Sequence, residues 1–265
     1  MIRLVALDID GTLLDSSNRL TDANAAAVRQ AVERGVPVVL ATSRWFYLAR
    51  RTADSLGLTT PLICHNGALV KRPADEHELL HLRLDQRFAH EATTLGDERQ
   101  YAMFTTLDHV TYMRPQGNVD PQRLPPDLQV ARRQAELVAQ GAPTAILVFG
   151  EEAVDEMYET FHGSYGQRVN FSRNYSLTFP HYLVMTHAEA DKGRALELVC
   201  RELGVDPKDA LAIGDSQADV AMFRVVGCAV AMGNAPEPVR QAAAAVAPVN
   251  DEDGVAWALR RFVLP

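Results

Sequence analysis

Short apolar runs alternate with helix-length segments from residue 4 to about residue 67, lapse between about 83 and 186, and resume at Glu189. Leu4-Val5-Ala6-Leu7 reads as a buried parallel strand. Thr21 caps an alanine-rich helix that runs to Glu33, with Gly35 as its stop. Residues 36–41 are β-rich, residues 44–56 helical up to Gly57, and Pro61–Cys64 a short strand. This β-α-β-α-β order with brief loops is the sequence form of a parallel sheet wrapped by helices. Downstream, Asp191 caps a helix to Leu203, Ala210–Ile213 is a strand, and residues 220–225 a helix. A strand at 228–232, a helix after Pro236 that takes in the alanines at 242–245, a strand at 246–249 and a helix from Glu252 complete the pattern. The expectation is one Rossmann-like α/β core, residues 1–82 plus 187–265, with helices on both faces.

Between them, residues 83–186 have a different character. Residues 68–82 resemble a hairpin leading in. Two helices, 87–96 and 151–161, sit among short strands, including 169–173 and 176–185, and prolines and glycines punctuate the middle. This stretch reads as an α+β domain inserted into the core.

The formal charge of -8 argues against a partner held by a basic field, so nucleic acid and anionic membrane are not expected partners. The three cysteines, Cys64, Cys200 and Cys228, are scattered and lack metal-ligand spacing, which suits a reducing compartment. No apolar run approaches the roughly 18 residues of a membrane span, and no cleavable leader is evident. A cytoplasmic location is expected. Nothing in the sequence bears on oligomeric state.

The first strand ends in Asp8-Ile9-Asp10-Gly11. On an extended backbone, positions i and i+2 face the same way, so Asp8 and Asp10 start side by side. Two carboxylates in one site repel, and each raises the other's pKa unless a cation intervenes. Oxygen ligands at a strand end suit Mg²⁺. The competing reading is a pair of solvated loop aspartates. Ligands in parallel sheets bind beyond the carboxyl ends of the strands, and Asp8, Thr42 and Asn66 each stand at such an end.

Asp8-Ile9-Asp10-Gly11-Thr12, Thr42 after an apolar strand, Lys192, and Gly214-Asp215 followed by Asp219 together resemble the four ordered motifs of the haloacid dehalogenase superfamily. His65-Asn66-Gly67-Ala68, Ala190-Asp191-Lys192-Gly193, Ala231-Met232-Gly233-Asn234-Ala235 and Asn250-Asp251-Glu252-Asp253-Gly254-Val255 resemble its Cof-type, sugar-phosphatase-like subgroup. The resemblance implies a Mg²⁺-dependent phosphatase acting on a small-molecule phosphate ester. It implies Asp8 as nucleophile through an aspartyl-phosphate, Asp10 as acid and base, and Lys192 as the neutralising cation. Thr42 and Ser43 would bind phosphoryl oxygens, and Asn234 would contact substrate. Asp8, the Asp10 carbonyl and Asp215 would surround the metal, with Asp219 as a further ligand or as an orienter behind them.

Duller readings compete for several of these residues. Thr42 could cap the following helix, Lys192 could be a solvated first-turn residue, and Asp219 could favour the start of its helix. Asn66 and Asn234 could brace loops. Residue 218 is Ala where the subgroup usually has Asn, and Ser43 stands where glycine is common. A phosphomutase or phosphotransferase of the same superfamily would use the same residues, with an alcohol as acceptor. Intact Asp8, Asp10, Lys192 and Asp215 count against a catalytically silent phosphate-sensing protein, and the domain inserted at 83–186 does not suit a phospho-accepting receiver, which shares the Asp-and-Lys chemistry.

Overall fold

Leu4–Leu7 forms β1, and all four of its residues are buried. Alternate side chains leave a strand on opposite faces. Val5 and Leu7 pack with Val28, Leu40 and Leu259 on one side of the sheet, while Leu4 and Ala6 pack with Leu196 and Val199 on the other. The run is therefore apolar without interruption. The protein is described here by a computed structural model covering residues 1–115, 117–174 and 181–264.

After β1 come α1 (Asp22–Glu33), β2 (Val38–Leu40), α2 (Phe46–Leu56), β3 (Leu62–Cys64), β4 (Leu69–Lys71) and β5 (Glu78–His81). Next are α3 (Gln86–Arg99), β6 (Ala102–Leu107), β7 (Val110–Arg114), β8 (Leu128–Val130), α4 (Gln134–Val138), β9 (Ala145–Phe149), α5 (Glu151–Tyr165), β10 (Val169–Asn174) and β11 (Tyr182–His187). The chain ends with α6 (Lys192–Glu202), β12 (Ala210–Gly214), α7 (Val220–Val225), β13 (Cys228–Ala231), α8 (Glu237–Gln241), β14 (Ala245–Val246) and α9 (Gly254–Phe262).

Two compact units result, Met1–Leu80 with Asp191–Pro265, and His81–Ala190. In the first, β14-β13-β12-β1-β2 form a five-stranded sheet with every pair parallel. The chain leaves β1 for β2 on one side and comes back to β12 on the other. The strand order thus reverses at β1, the place where open parallel sheets leave a crevice. A parallel bridge between Ala41 and Ile63 leads from β2 to β3, which belongs to the three-stranded β3-β4-β5 sheet.

The second unit is built on the order β10-β11-β9-β6-β7-β8, antiparallel in the described pairs except β7 with β8. Met103, Val148 and Leu183 lie opposite one another in register and pack with Phe88, Met157 and Phe161. Ala188 and Ala190 donate main-chain hydrogen bonds to Arg168 and His187, which keeps the chain with this unit up to Asp191.

Several expectations shift. α2 begins at Phe46 rather than residue 44, leaving Thr42–Trp45 as an open bend. The alanines at 242–244 leave the helix after Gln241, because Ala244 N–H bonds the Ala229 carbonyl at 2.9 Å and draws the chain into β14. Tertiary pairing here overrides the high helix propensity of alanine. The last helix starts at Gly254, preceded by a turn at Asn250–Glu252. α4 has no counterpart in the sequence pattern; Gln134 in it is fully buried and donates to the carbonyls of Met103 and Tyr112 at 3.0 and 3.1 Å. Of the strand expected at 176–185, residues 176–180 lie outside the described residues.

Candidate active site

Asp8 follows β1 directly, and its amide donates to the Ile213 carbonyl of the neighbouring β12 at 3.0 Å. The chain then closes a tight turn over Ile9–Leu13, with Leu14 N–H bonded to the Ile9 carbonyl at 3.0 Å. Gly11 carries that turn at φ +78°, a region that favours glycine. A Cβ there would also lie 2.4 Å from Asp215 Oδ2. Glycine therefore lets the turn after β1 lie against the loop after β12. Thr12 closes the contact by donating to Asp215 Oδ1 at 2.9 Å.

Lys192 opens α6, two per cent exposed. The next residue is glycine for a steric reason: a Cβ on Gly193 would sit 2.3 Å from the Ala221 carbonyl of α7. A cation in a helix's first turn opposes the dipole, and here two carboxylates offset that. Lys192 Nζ donates to Asp8 Oδ1 at 2.7 Å and to Asp219 Oδ1 at 2.6 Å. The other oxygen of Asp219 accepts from the amides of Asp215 and Ser216, at 3.1 and 2.8 Å, and from the Ser216 hydroxyl at 2.7 Å. Both Asp219 oxygens are thus engaged, which makes it the post that holds Lys192 and the Asp215 loop in place.

Thr42 is buried past the end of β2, and its Oγ1 accepts from the Arg44 amide at 3.1 Å. Ser43 is half-buried in the same bend. Arg44 reaches across to Asp10, Nε to Oδ2 at 2.8 Å and Nη2 to Oδ1 at 2.5 Å. Asn66 is buried, with its amide bonded to the Thr42 carbonyl at 3.0 Å. Asn234 is braced differently from the substrate contact expected of it. Its Nδ2 donates to the Gly11 carbonyl at 2.8 Å, and its Oδ1 accepts from the Asn250 amide at 3.1 Å. Those bonds tie three loops together. Ala218 is half-buried on the turn between Asp215 and Asp219, and nothing in the structure explains alanine there.

Charge is the site's dominant feature. Asp8, Asp10, Asp215 and Asp219 face two cations, Lys192 and Arg44. Burial pushes Asp8 well above the ordinary carboxylate range, and the charges of Asp219, Asp215 and Asp10 add to the rise against Lys192. Burial, then the Asp219 charge, pushes Asp215 up to about 7, against the Thr12 hydrogen bond. Burial would pull Lys192 down, but Asp219 and Asp8 outweigh it and hold the ammonium charged. This excess of buried negative charge is what a bound cation relieves. Asp8, Asp215 and Asp219 can each offer an oxygen within 4.8 Å of the others, a hard donor set that fits a metal ion. The Asp10 side chain, by contrast, is occupied by Arg44.

The profile of the haloacid dehalogenase-like hydrolases matches residues 5–259. The chain belongs to that family. Within the haloacid dehalogenase-like hydrolases it is of the Cof type. Phosphatase YwpJ of Bacillus subtilis is 27% identical, the match covering 99% of this chain and 100% of that one. A phosphoglycolate phosphatase of Methanopyrus kandleri is 28% identical over 99% of this chain and 98% of its own. The fold is shared with a haloacid dehalogenase-like hydrolase structure from B. subtilis (TM-score 0.84, 24% identity, 99% and 100% coverage). It is also shared with a subclass IIB sugar phosphatase (TM-score 0.79, 20% identity, 99% and 100% coverage).

Thr12 and Arg44 have no separate role among the motif residues of the sequence. The signal for a second cation was present: four aspartates in the motifs were set against Lys192 alone, and Arg44 stood two residues after Thr42. Among the described residues, no helix is long and apolar enough to cross a membrane.

Proposed function

We propose that this haloacid dehalogenase-like hydrolase is a Mg²⁺-dependent phosphatase of small phosphorylated metabolites, sugar phosphates or similar, working through an aspartyl-phosphate on Asp8. The observation that carries this reading is the buried Lys192 ammonium bonded to both Asp8 and Asp219, with Asp10 two residues on from Asp8. Phosphatase names among full-length relatives, including one for 5-amino-6-(5-phospho-D-ribitylamino)uracil, support the reaction class. In this reading Asp8 attacks phosphorus as the ester P–O bond breaks, and Asp10 gives its proton to the departing oxygen. Water then attacks the same phosphorus, Asp10 takes its proton, and the bond to Asp8 breaks. Lys192 keeps Asp8 aimed and opposes the rise that burial imposes on its pKa. Thr42, whose hydroxyl accepts from the Arg44 amide, has its proton left to donate to a phosphoryl oxygen, with Ser43 beside it. Asp8, the Asp10 carbonyl and Asp215 would hold the metal, with Asp219 orienting the set. A bound Mg²⁺ supplies charge neutralisation at the phosphoryl oxygens. The inserted unit is assigned to substrate selection.

The test is a panel of phosphate esters assayed for released phosphate with Mg²⁺ and with chelator. Release should require the metal and no added acceptor. Asp8→Asn should lower kcat by more than about a thousandfold while leaving the circular dichroism spectrum unchanged. Full activity in metal-free buffer refutes the metal assignment; turnover yielding an isomer instead of phosphate refutes water as acceptor.

A further inference from the structure

Asp10 has both carboxylate oxygens taken by one guanidinium, at 2.8 and 2.5 Å. A two-point fork sets the plane of a carboxylate as well as its position, which a single ammonium cannot do. The two partners differ in how firmly each is anchored. The Arg44 amide donates to Thr42 Oγ1 at 3.1 Å, its carbonyl accepts from the His65 amide at 3.1 Å, and its Nη1 lies 3.5 Å from Thr52 Oγ1. Its side chain is 15% exposed, against 34% for Asp10, which sits on a turn beside a glycine. Arg44 is the template and Asp10 the group being aimed. Resting on the reading of Asp10 as acid and base, we infer that Arg44 is a positioning residue that sets the orientation in which the Asp10 carboxyl gives and takes its proton.

Two other roles would leave different traces. An exposed ion pair kept only for stability contributes little, so its loss would move neither rate by much. A direct phosphate contact would raise KM for every ester. A residue acting through Asp10 affects those steps that need a proton moved. An alkyl ester needs one to release its alkoxide; an aryl ester such as p-nitrophenyl phosphate releases a stable anion without help. Both need Asp10 again when water attacks.

Arg44→Lys keeps the charge and removes the fork. In the full-length enzyme with Mg²⁺, it should slow the first turnover of the best alkyl ester about 10–100-fold, within the range general acid catalysis contributes. KM should stay within about twofold, because the substrate keeps its own contacts. The first-turnover burst of nitrophenolate should persist near the wild-type rate while the steady state slows. The same substitution in an Asp10→Asn background should add no further loss to alkyl ester turnover, since the group it aims is gone. Equal slowing of both bursts, a rise in KM at unchanged kcat, unchanged rates, or full additivity with Asp10→Asn would each overturn the role. If Arg44→Lys fails to fold, Arg44→Gln is taken through the same comparison. Failure of the phosphatase reading is separate: wild-type enzyme would then release phosphate from no ester, and the role of Arg44 would fall with it.

Discussion

Lys192 holds two buried aspartates at 2.7 and 2.6 Å while itself two per cent exposed. Desolvating three ionic groups is unfavourable, and the arrangement persists only because each is satisfied by another. Removing the shared cation leaves Asp8 and Asp219 facing each other in a buried site. Lys192→Met should therefore lower unfolding stability by about 3 kcal/mol, the range for breaking a buried pair, as well as abolish phosphate release. Urea denaturation of the two proteins in chelator measures the first effect and a phosphate assay the second. A variant as stable as wild type would mean that Asp8 takes up a proton at little penalty when its partner is lost.

At the scale of elements, α2 and the β4–β5 hairpin are joined by an ionic cluster near the bend that carries Thr42 and Arg44. Lys71 of β4 is one per cent exposed and lies 4.6 Å above the Phe46 ring. Glu76 accepts from Lys71 at 2.9 Å, from Arg50 at 2.8 Å and from the Tyr47 hydroxyl at 3.1 Å. The Lys71 hydrogen bond, against the opposing effect of burial, holds the Glu76 carboxyl below its ordinary value of 4.5. A carboxyl whose folded pKa is depressed contributes stability that is present above its unfolded value and lost as pH falls through the folded one. Glu76→Gln should thus lower Tm at pH 7, and the gap to wild type should narrow as pH falls from about 5 toward 3. Thermal scans across that range check it; a gap independent of pH would assign the loss to packing. Because Glu76 is 37% exposed, solvent screening keeps the effect small.

Across the whole molecule, the two units are made from the chain in different ways. The His81–Ala190 unit is continuous in sequence and has its own core around Phe88, Met103 and Met157. The other unit is assembled from both ends of the chain, and β1 pairs with β12 from residue 210 onward. Expressed alone, residues 81–190 should unfold cooperatively in urea. Residues 1–80 alone should show no cooperative transition, since β1 would lack β12 and the face covered by α6 and α7. Far-ultraviolet circular dichroism of each fragment decides this. A non-cooperative 81–190 fragment would show that its core depends on the rest of the chain.

Apolar runs bounded by glycine and capping residues placed β1, α1 and β12 to within a residue or two, because burial and turn chemistry there are local and agree with the fold. The order Asp8-x-Asp10, Thr42, Lys192, Asp215 was legible for the same reason: each stands at a strand end or helix start that the pattern already marks. What the residues do to one another was not legible. Whether Asp10 faces solvent, a metal or Arg44 depends on the bend at Thr42–Trp45 lying beside the turn at Gly11, a meeting of loops that strand pairing brings about. Asn234 reads equally well as a ligand contact or a brace until Gly11 and Asn250 come within its reach. Alanine at 242–244 favours a helix in isolation, but the Ala229 carbonyl recruits that backbone into a sheet. Local pattern determined where the elements and charged groups stand along the chain; tertiary structure decided their partners, because hydrogen bonds and ion pairs depend on distance in space.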